Sequence, residues 1–433
     1  MYIDSIVLTN IRGFSEVNFN FNRGNDKYAG WTVFVGNNGS GKSTFLKAVA
    51  IALTGTDTAR ALEPNYNRWI KEGRKGKSII QLEIFRCEDD DYFSGQGKTT
   101  LQATFPARID VRKSAKGTVL QETTPEHVQQ NYSTPNRSIW SADAFGWFSC
   151  GYGPFRRVFG ASPEAMRQMV APTTERFVTM FQEAASLAEV DQWLRALSHK
   201  ALEKKQSEKL QLDLLLEFLR SDLLPNEISV DGVDSDGLWL KDRNGVRLSW
   251  AEMSDGYRSA LALLADIIRH LISNYGIDGL VGHKADGTIF VKRSGVVLID
   301  EVDAHLHPEW QRNIGSWLKK HFPNIQFLVT THSPLICQAA DTNGIFVLPA
   351  PGSDEEARAL TEEEYHKVIA SRPDTILLGP AFGLQNTRSP EVVESRRQWA
   401  QLQAKKRAGA TLTAAEKKKE KQLALFVRTD EEL

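Results

Sequence analysis

A nine-residue run, GNNGSGKST from Gly36 to Thr44, constrains this chain more than any other feature. It satisfies the pattern G-x-x-x-x-G-K-[ST] through Gly36, Gly41, Lys42 and Ser43. An apolar strand, Thr32–Val35, precedes it, and a helix is expected over Lys42–Thr54. Glycines let the backbone N–H groups turn inward, and the helix N-terminus adds favourable charge for an anion. The whole run Gly36, Asn37, Asn38, Gly39, Ser40, Gly41, Lys42, Ser43 and Thr44 is therefore the candidate phosphate cradle. Lys42 would reach the β- and γ-phosphates of ATP, and the Ser43 hydroxyl would bind Mg²⁺. A simple glycine turn with a solvated lysine would require neither the strand before it nor the helix after it.

A second run, VVLIDEVDAHLHP (Val296–Pro308), is a covered strand ending in two acids. In a parallel sheet such an end lies beside the phosphate loop. Asp300 would hold Mg²⁺ through water, and Glu301 would orient and polarise the attacking water. Alone, these acids would suit helix N-capping equally well; the phosphate loop decides between the two. The segment FLVTTHSP places His332 just past another apolar strand, at the same sheet edge, as a γ-phosphate sensor or switch. His305 and His307 fit a dimer-contact loop better than a metal site. In LSWAEMSDGYRSALALL, Ser254, Asp255 and Gly256 open a long helix whose first amides are free for an anion. Spacing alone leaves a plain N-cap equally open there.

Composition bounds the rest. The 433 residues carry 53 Lys and Arg against 54 Asp and Glu, with 41% apolar and 25% charged residues. That excludes collagen-like, disordered and membrane classes, and any grip on nucleic acid or membrane by bulk charge. Three scattered cysteines (Cys87, Cys150, Cys337) give no disulfide framework and fit a cytoplasmic location. No signal-peptide pattern or membrane-spanning run is legible, so no membrane partner is expected; the longest apolar segment, Ala260–Ile272, is broken by Asp266, Arg269 and His270.

Strands are expected at 2–11, 16–22, Ser78–Cys87, Thr99–Phe105 and Ala107–Lys113, the last three as an antiparallel appendage within 55–140. Phe148–Arg157 (FSCGYGPFRR) marks a boundary, and the pattern turns helical from Ser162 to Leu224. Short strands around Glu227–Val230 and Val246–Trp250 and covered strands at Gly295–Ile299, Ile325–Val329 and Gly344–Leu348 follow. The tail Ser389–Val427 is charged and helix-prone, with a break at Gly409–Thr413.

The order of these motifs resembles the ABC-type ATPases of the SMC and RecF class, which include the heads of overcoming-lysogenization-defect nucleases. The likeness covers roughly residues 1–350. It implies an α/β P-loop NTPase: lobe I (1–155 and 290–388) with a mixed sheet and flanking helices, helical lobe II (156–289) and a charged tail (389–433). It also implies a head-to-tail homodimer around two ATP molecules, in which Ser254 and Gly256 contact the γ-phosphate held by the opposite protomer. In that family's S-G-G signature, Asp255 replaces a glycine. Arg12, in NIRGF, sits where relatives place a nucleotide-contacting residue. A glutamine loop is missing; its nearest substitute is GYGPFRR, with Tyr152, Arg156 and Arg157. No heptad array separates Lys42 from Ser254, so the SMC arm is absent, and no fused TOPRIM acid cluster follows His332. With ILLGPAFGL near the end, the layout looks like the stand-alone ATPases of Septu and retron anti-phage systems, which implies a separate effector such as an HNH nuclease. A RecF-type repair ATPase acting directly on DNA is the main alternative, and a transporter ATPase subunit a more remote one. Nucleic acid is a further candidate partner: residues 389–428 hold ten Lys and Arg against four Asp and Glu.

Overall fold

The computed structural model describes all residues except 74–75, 96–102, 116, 127, 129–133, 157–171, 184, 186, 354 and 429–433. Part of the expected strand Thr99–Phe105 therefore falls outside the described residues. Contacts divide the chain into two compact units, Met1–Ala370 and Ser371–Leu433.

The first unit is an α/β body built on two sheets. One has six strands in the order Arg358–Ala359, Ile345–Val347, Gly30–Val35, Ile325–Thr330, Gly295–Ile299 and Ser149–Tyr152. Every pairing in it is parallel except that of the outermost Arg358–Ala359. Gly295–Ile299 and Ile325–Thr330 are buried at every position, as expected of apolar strands covered on both faces; the one amide among them, Gln326, accepts from Ile3 N at 2.7 Å and donates to Ile3 O at 2.9 Å. The segment FSCGYGPFRR contains a strand that the sequence did not suggest. Its Ser149–Tyr152 is a buried strand laid beside the acidic one, in the register Ile299 to Tyr152.

The second sheet is antiparallel, in the order Phe14–Asn20, Tyr2–Ile11, Ser78–Phe85, Thr104–Ser114 and Gly117–Thr123. The strands expected as an appendage thus join the N-terminal pair in one sheet, because Tyr2–Ile11 has partners on both sides. The helix Lys42–Leu62 contributes to the core with these strands through Phe19, Phe34, Phe45 and Phe346, whose rings lie within 4.5–6.1 Å of a neighbour in the cluster. The helix breaks at Gly55 (φ +78°, ψ 172°), just past its expected end at Thr54, and a second helical stretch carries on to Leu62; the Trp140 indole donates to Ala52 O at 2.8 Å beside the kink.

The region expected to be helical holds Ala188–Leu202, Gln206–Leu219 and the long Asp255–Tyr275. It also holds a three-stranded sheet (Ser229–Asp234, Gly237–Lys241, Arg247–Ser249) and a hairpin (Val281–His283, Ile289–Val291). At its base lies a buried ionic cluster. Asp266 accepts from Tyr152 Oη at 3.0 Å and Arg269 Nε at 2.9 Å, and its carboxylate lies 3.2 Å from His270 Nε2. Burial opposes its ionisation, but the charges of His270 and Arg269 outweigh that and hold the carboxyl well below its usual range. Glu189 behaves oppositely: burial, then its hydrogen bond to Glu175, pushes it up to about 7. The folded state therefore binds a proton that the unfolded chain releases, so stability falls as pH rises from about 4.5 to 7. Glu189→Gln is expected to raise the thermal midpoint at pH 8 and leave it nearly unchanged at pH 4.5. A lower midpoint at pH 8 would contradict this.

The second unit contains Pro373–Leu378 and two longer helices, Pro390–Arg407 and Ala414–Arg428, separated at the expected break. Leu402, Leu412 and Leu423 with Trp399 form their small apolar seam. Among the described residues, no helix is long and apolar enough to cross a membrane.

Candidate nucleotide site

Four neighbouring parallel strands end at one edge of the six-stranded sheet, which is why motifs far apart in sequence meet there. The phosphate loop leaves Gly30–Val35 and closes on Gly41, the N-cap of the following helix at φ +91°. Only glycine suits this position, because a Cβ there would also lie 2.7 Å from the Phe14 ring. Beyond the loop, Asn38, Gly39, Gly41, Lys42, Ser43 and Thr44 line a cavity of about 260 Å³ whose far wall is Glu301 and His332.

Lys42 is buried, and its Nζ donates to Gly36 O (2.9 Å) and Asn37 O (3.2 Å), both in its own loop. Burial pushes the ammonium below its ordinary range, while Asp300, Glu301 and Asp303 pull it back. The Ser40 hydroxyl is buried with no hydrogen-bond partner among the described residues. A cationic lysine and a helix N-terminus at one cavity fit a phosphate group.

Thr330 organises the acid pair. Its hydroxyl donates to Asp300 Oδ1 at 2.5 Å and accepts from Glu301 N at 2.7 Å. Asp300 N donates to Tyr152 O at 2.8 Å, and Asp300 is 2% exposed. Glu301 holds φ +47°, a left-handed conformation costing a non-glycine residue about 1–3 kcal/mol that the surrounding bonds must offset. Asp303 accepts from Thr331 Oγ1 at 2.5 Å and from His332 N at 3.4 Å. Burial, then the Lys42 charge, lowers the His332 imidazole below its usual range, so it is neutral at pH 7 and carries one N–H donor.

None of the described GYGPFRR residues, Gly151 to Arg156, lines this cavity. Tyr152 is turned to Asp266, and Arg157 lies outside the described residues. Arg156 is 4% exposed and donates to the carbonyls of Gly153 (3.1 Å), Asp300 (2.9 Å), Glu301 (3.0 Å), Val302 (3.5 Å) and Ala304 (3.4 Å). A planar guanidinium with five N–H groups can span such a fan of oxygens, and a lysine cannot. Arg156 is thus a positioning residue for the acid loop. Arg156→Ala is expected to cost about 3 kcal/mol of stability by stranding buried carbonyls. It should lower kcat while the nucleotide Kd holds, because the cradle leaves a different strand. Unchanged kcat in a folded variant would remove that role.

Arg12 sits at φ +47° with its guanidinium 4.4 Å from the centre of the Trp69 ring, and its Nη1 reaches Thr44 Oγ1 at 3.4 Å. It does not line the cavity. Neither do Ser254 and Gly256 of the same chain. Ser254 occupies the N-cap of Asp255–Tyr275, yet its hydroxyl makes no capping bond. A Cβ on Gly256 would come within 2.4 Å of His305 O, so glycine is needed for the helix start to rest on the loop after the acid pair. His307 Nδ1 caps the helix Pro308–His321 by accepting from Glu309 N at 3.3 Å. No group of three or more His, Cys, Asp or Glu able to hold a metal occurs among the described residues.

Sequence reading missed Thr330 and Asp303. The doubled threonine before His332 and the acid three residues after Asp300 were legible signals. Arg156 was named only within GYGPFRR as the nearest substitute for a glutamine loop; its partners are instead the carbonyls of the acid loop.

A parallel sheet bearing this loop, acid pair and histidine on one edge defines an ATPase of the P-loop class. The chain belongs to the AAA domain family, which matches residues 5–228, and a second AAA domain description matches residues 172–338. Among curated proteins, it is similar to the retron Ec83 probable ATPase of Escherichia coli, 27% identical over 407 residues, covering 80% of this chain and 71% of that protein. It is also similar to the Septu protein PtuA of Bacillus mycoides (strain KBAB4), 25% identical over 391 residues and 89% of this chain. The match covers 45% of that protein, so this chain spans less than half of its length. Among solved structures, the SMC head bound to the C-terminal winged-helix domain of ScpA covers 85% of this chain at 15% identity, with a TM-score of 0.48. That superposition is loose, and the fold assignment rests on the strand order and the site.

Proposed function

We propose that this chain hydrolyses Mg²⁺-ATP as a head-to-tail homodimer and thereby controls a separate effector, a nuclease such as an HNH enzyme, in anti-phage defence. The observation that carries the dimer is the split of the motifs. Lys42, Ser43, Glu301 and His332 share one cavity, whereas Ser254 and Gly256 stand outside it with a helix start whose hydroxyl has no capping work. A second copy would supply them. The kinship with retron and Septu proteins supports the defence reading and the expectation of a separate partner.

In this reading, Lys42 and the loop amides hold the β- and γ-phosphates, with Arg12 at the rim. Ser43 and Asp300 would hold Mg²⁺, which supplies charge neutralisation of the transferring phosphoryl group. Glu301, fixed through its backbone by Thr330, orients the attacking water and draws off its proton. His332, neutral at pH 7, donates one N–H to the γ-phosphate and so reports its presence. Ser254 and the amides around Gly256 of the partner subunit close the far side.

Mixing tests the shared site. Lys42→Ala and Ser254→Arg should each be inactive alone. In an equal mixture about a quarter of the sites are rebuilt, because half the dimers pair the two variants and each such dimer restores one site. No recovery would place the whole site within one chain.

A further inference from the structure

The C-terminal hairpin carries a charge that the nucleotide site does not use. Its ten cations face four acids in residues 389–428, within a chain whose net charge is −1, so the remainder is net acidic. Glu416 accepts from Lys405 Nζ at 2.7 Å, and Glu420 from Lys406 Nζ and Gln403 Nε2, both at 2.6 Å. These bonds cross from Pro390–Arg407 to Ala414–Arg428, so both acids of the second helix are spent on pinning the helices together. Arg407, Lys417, Lys418, Lys419 and Lys421 are exposed, and none has an acidic partner within 4.0 Å among the described residues.

Three consecutive lysines at about 100° per residue wrap roughly 200° of the helix instead of forming one stripe. Arg407 adds to them across the Ala408–Thr413 connection, so the turn end of the hairpin is cationic on most sides. The apolar side chains Leu402, Leu412 and Leu423 are turned into the seam. Among the described side chains of 390–424, no large apolar group is exposed. A protein partner is ordinarily gripped by buried aromatic and aliphatic anchors. A surface of lysine and arginine without such anchors suits a dense polyanion instead. A nucleic acid duplex presents one charge per about 1.7 Å of axis, and the longer helix, about 27 Å, could lie along many of them.

We infer that the hairpin Pro390–Arg428 is a nucleic-acid interface that reads the sugar–phosphate backbone without sequence preference. The net acidity of the remaining chain would confine binding to this element. The interface is independent of whether the partner effector is a nuclease, and its test does not require one.

The test uses the full chain and labelled duplex DNA, single-stranded DNA and an RNA hairpin, with fluorescence anisotropy across a salt series. The wild type should bind at 50 mM salt and weaken linearly in log Kd against log salt. Lys417→Gln/Lys418→Gln/Lys419→Gln/Lys421→Gln keeps helix-forming residues and should weaken duplex binding at least tenfold, with a slope shallower by about 3–4. Its ATPase rate without nucleic acid should equal that of the wild type. Glu416→Gln/Glu420→Gln releases Lys405 and Lys406 and should instead tighten binding, with a slope steeper by about 2. The second variant keeps the test decisive if the first fails to fold. Which of the three nucleic acids binds most tightly identifies the source. No wild-type binding at 50 mM salt, or unchanged affinity and slope in both variants, would overturn the inference. Competition by polyglutamate as strong as by DNA at equal charge would overturn it in favour of an acidic protein surface.

Discussion

Glu301→Gln is expected to bind ATP with near-wild-type affinity yet hydrolyse it roughly 10²–10⁴-fold more slowly, the usual loss when a positioned general base is removed. The affinity should survive because the cradle belongs to Gly36–Thr44, and Glu301 only forms the opposite wall of the cavity. The backbone bonds that hold position 301, from its N–H to Thr330 and from its carbonyl to Arg156, do not depend on the side chain, so glutamine should adopt the same left-handed backbone. With hydrolysis stalled, the closed dimer should accumulate in ATP and dissociate in ADP. Single-turnover phosphate release and size-exclusion chromatography with light scattering read the two parts separately. Hydrolysis at the wild-type rate would remove Glu301 from its assigned role and turn attention to Asp303, the next carboxylate along the loop.

The second large effect is the loss of nucleotide binding in Lys42→Ala. Removing a charged donor from a phosphate should cost about 3 kcal/mol, or roughly 100-fold in Kd, from one or two charge-assisted hydrogen bonds. The protein should remain folded, since Gly36 is half-buried and Asn37 exposed, so water can replace the ammonium on the carbonyls that Lys42 now engages. Titration with a fluorescent ATP analogue, together with a thermal melt, separates the two effects. A variant that binds the analogue normally would show that the cradle works through its amides alone.

Much of the site was legible because its parts are local. The phosphate loop, the acid pair and His332 each lie just past a mainly apolar strand, and a parallel sheet brings such ends together by construction. The expected helix break at 409–413 was equally local, with Gly409 at φ +79°. What escaped depends on partners distant in sequence. Ser149–Tyr152 reads as a loop because Cys150, Gly151 and Tyr152 lack the branched side chains typical of strands; pairing with Gly295–Ile299 makes it one. Arg156 is meaningful only through carbonyls 144 to 148 residues away, and Gly256 only through His305. The strand Gly237–Lys241 was missed for a related reason: it is the centre of a small sheet whose flanking strands are three and six residues long.

The strand order also dictates a timetable for the newly made chain. Gly30–Val35 leaves the ribosome about 290 residues ahead of the first of its two sheet neighbours, Ile325–Thr330 and Ile345–Val347. At roughly 5–20 residues per second, this apolar strand waits roughly 15–60 s for a partner. A product that stops before Ile325 would carry GNNGSGKST without either sheet neighbour of the strand that presents it. A fragment that ends before Ile325 is therefore expected to bind nucleotide poorly, and its waiting strand to expose an apolar edge in the meantime.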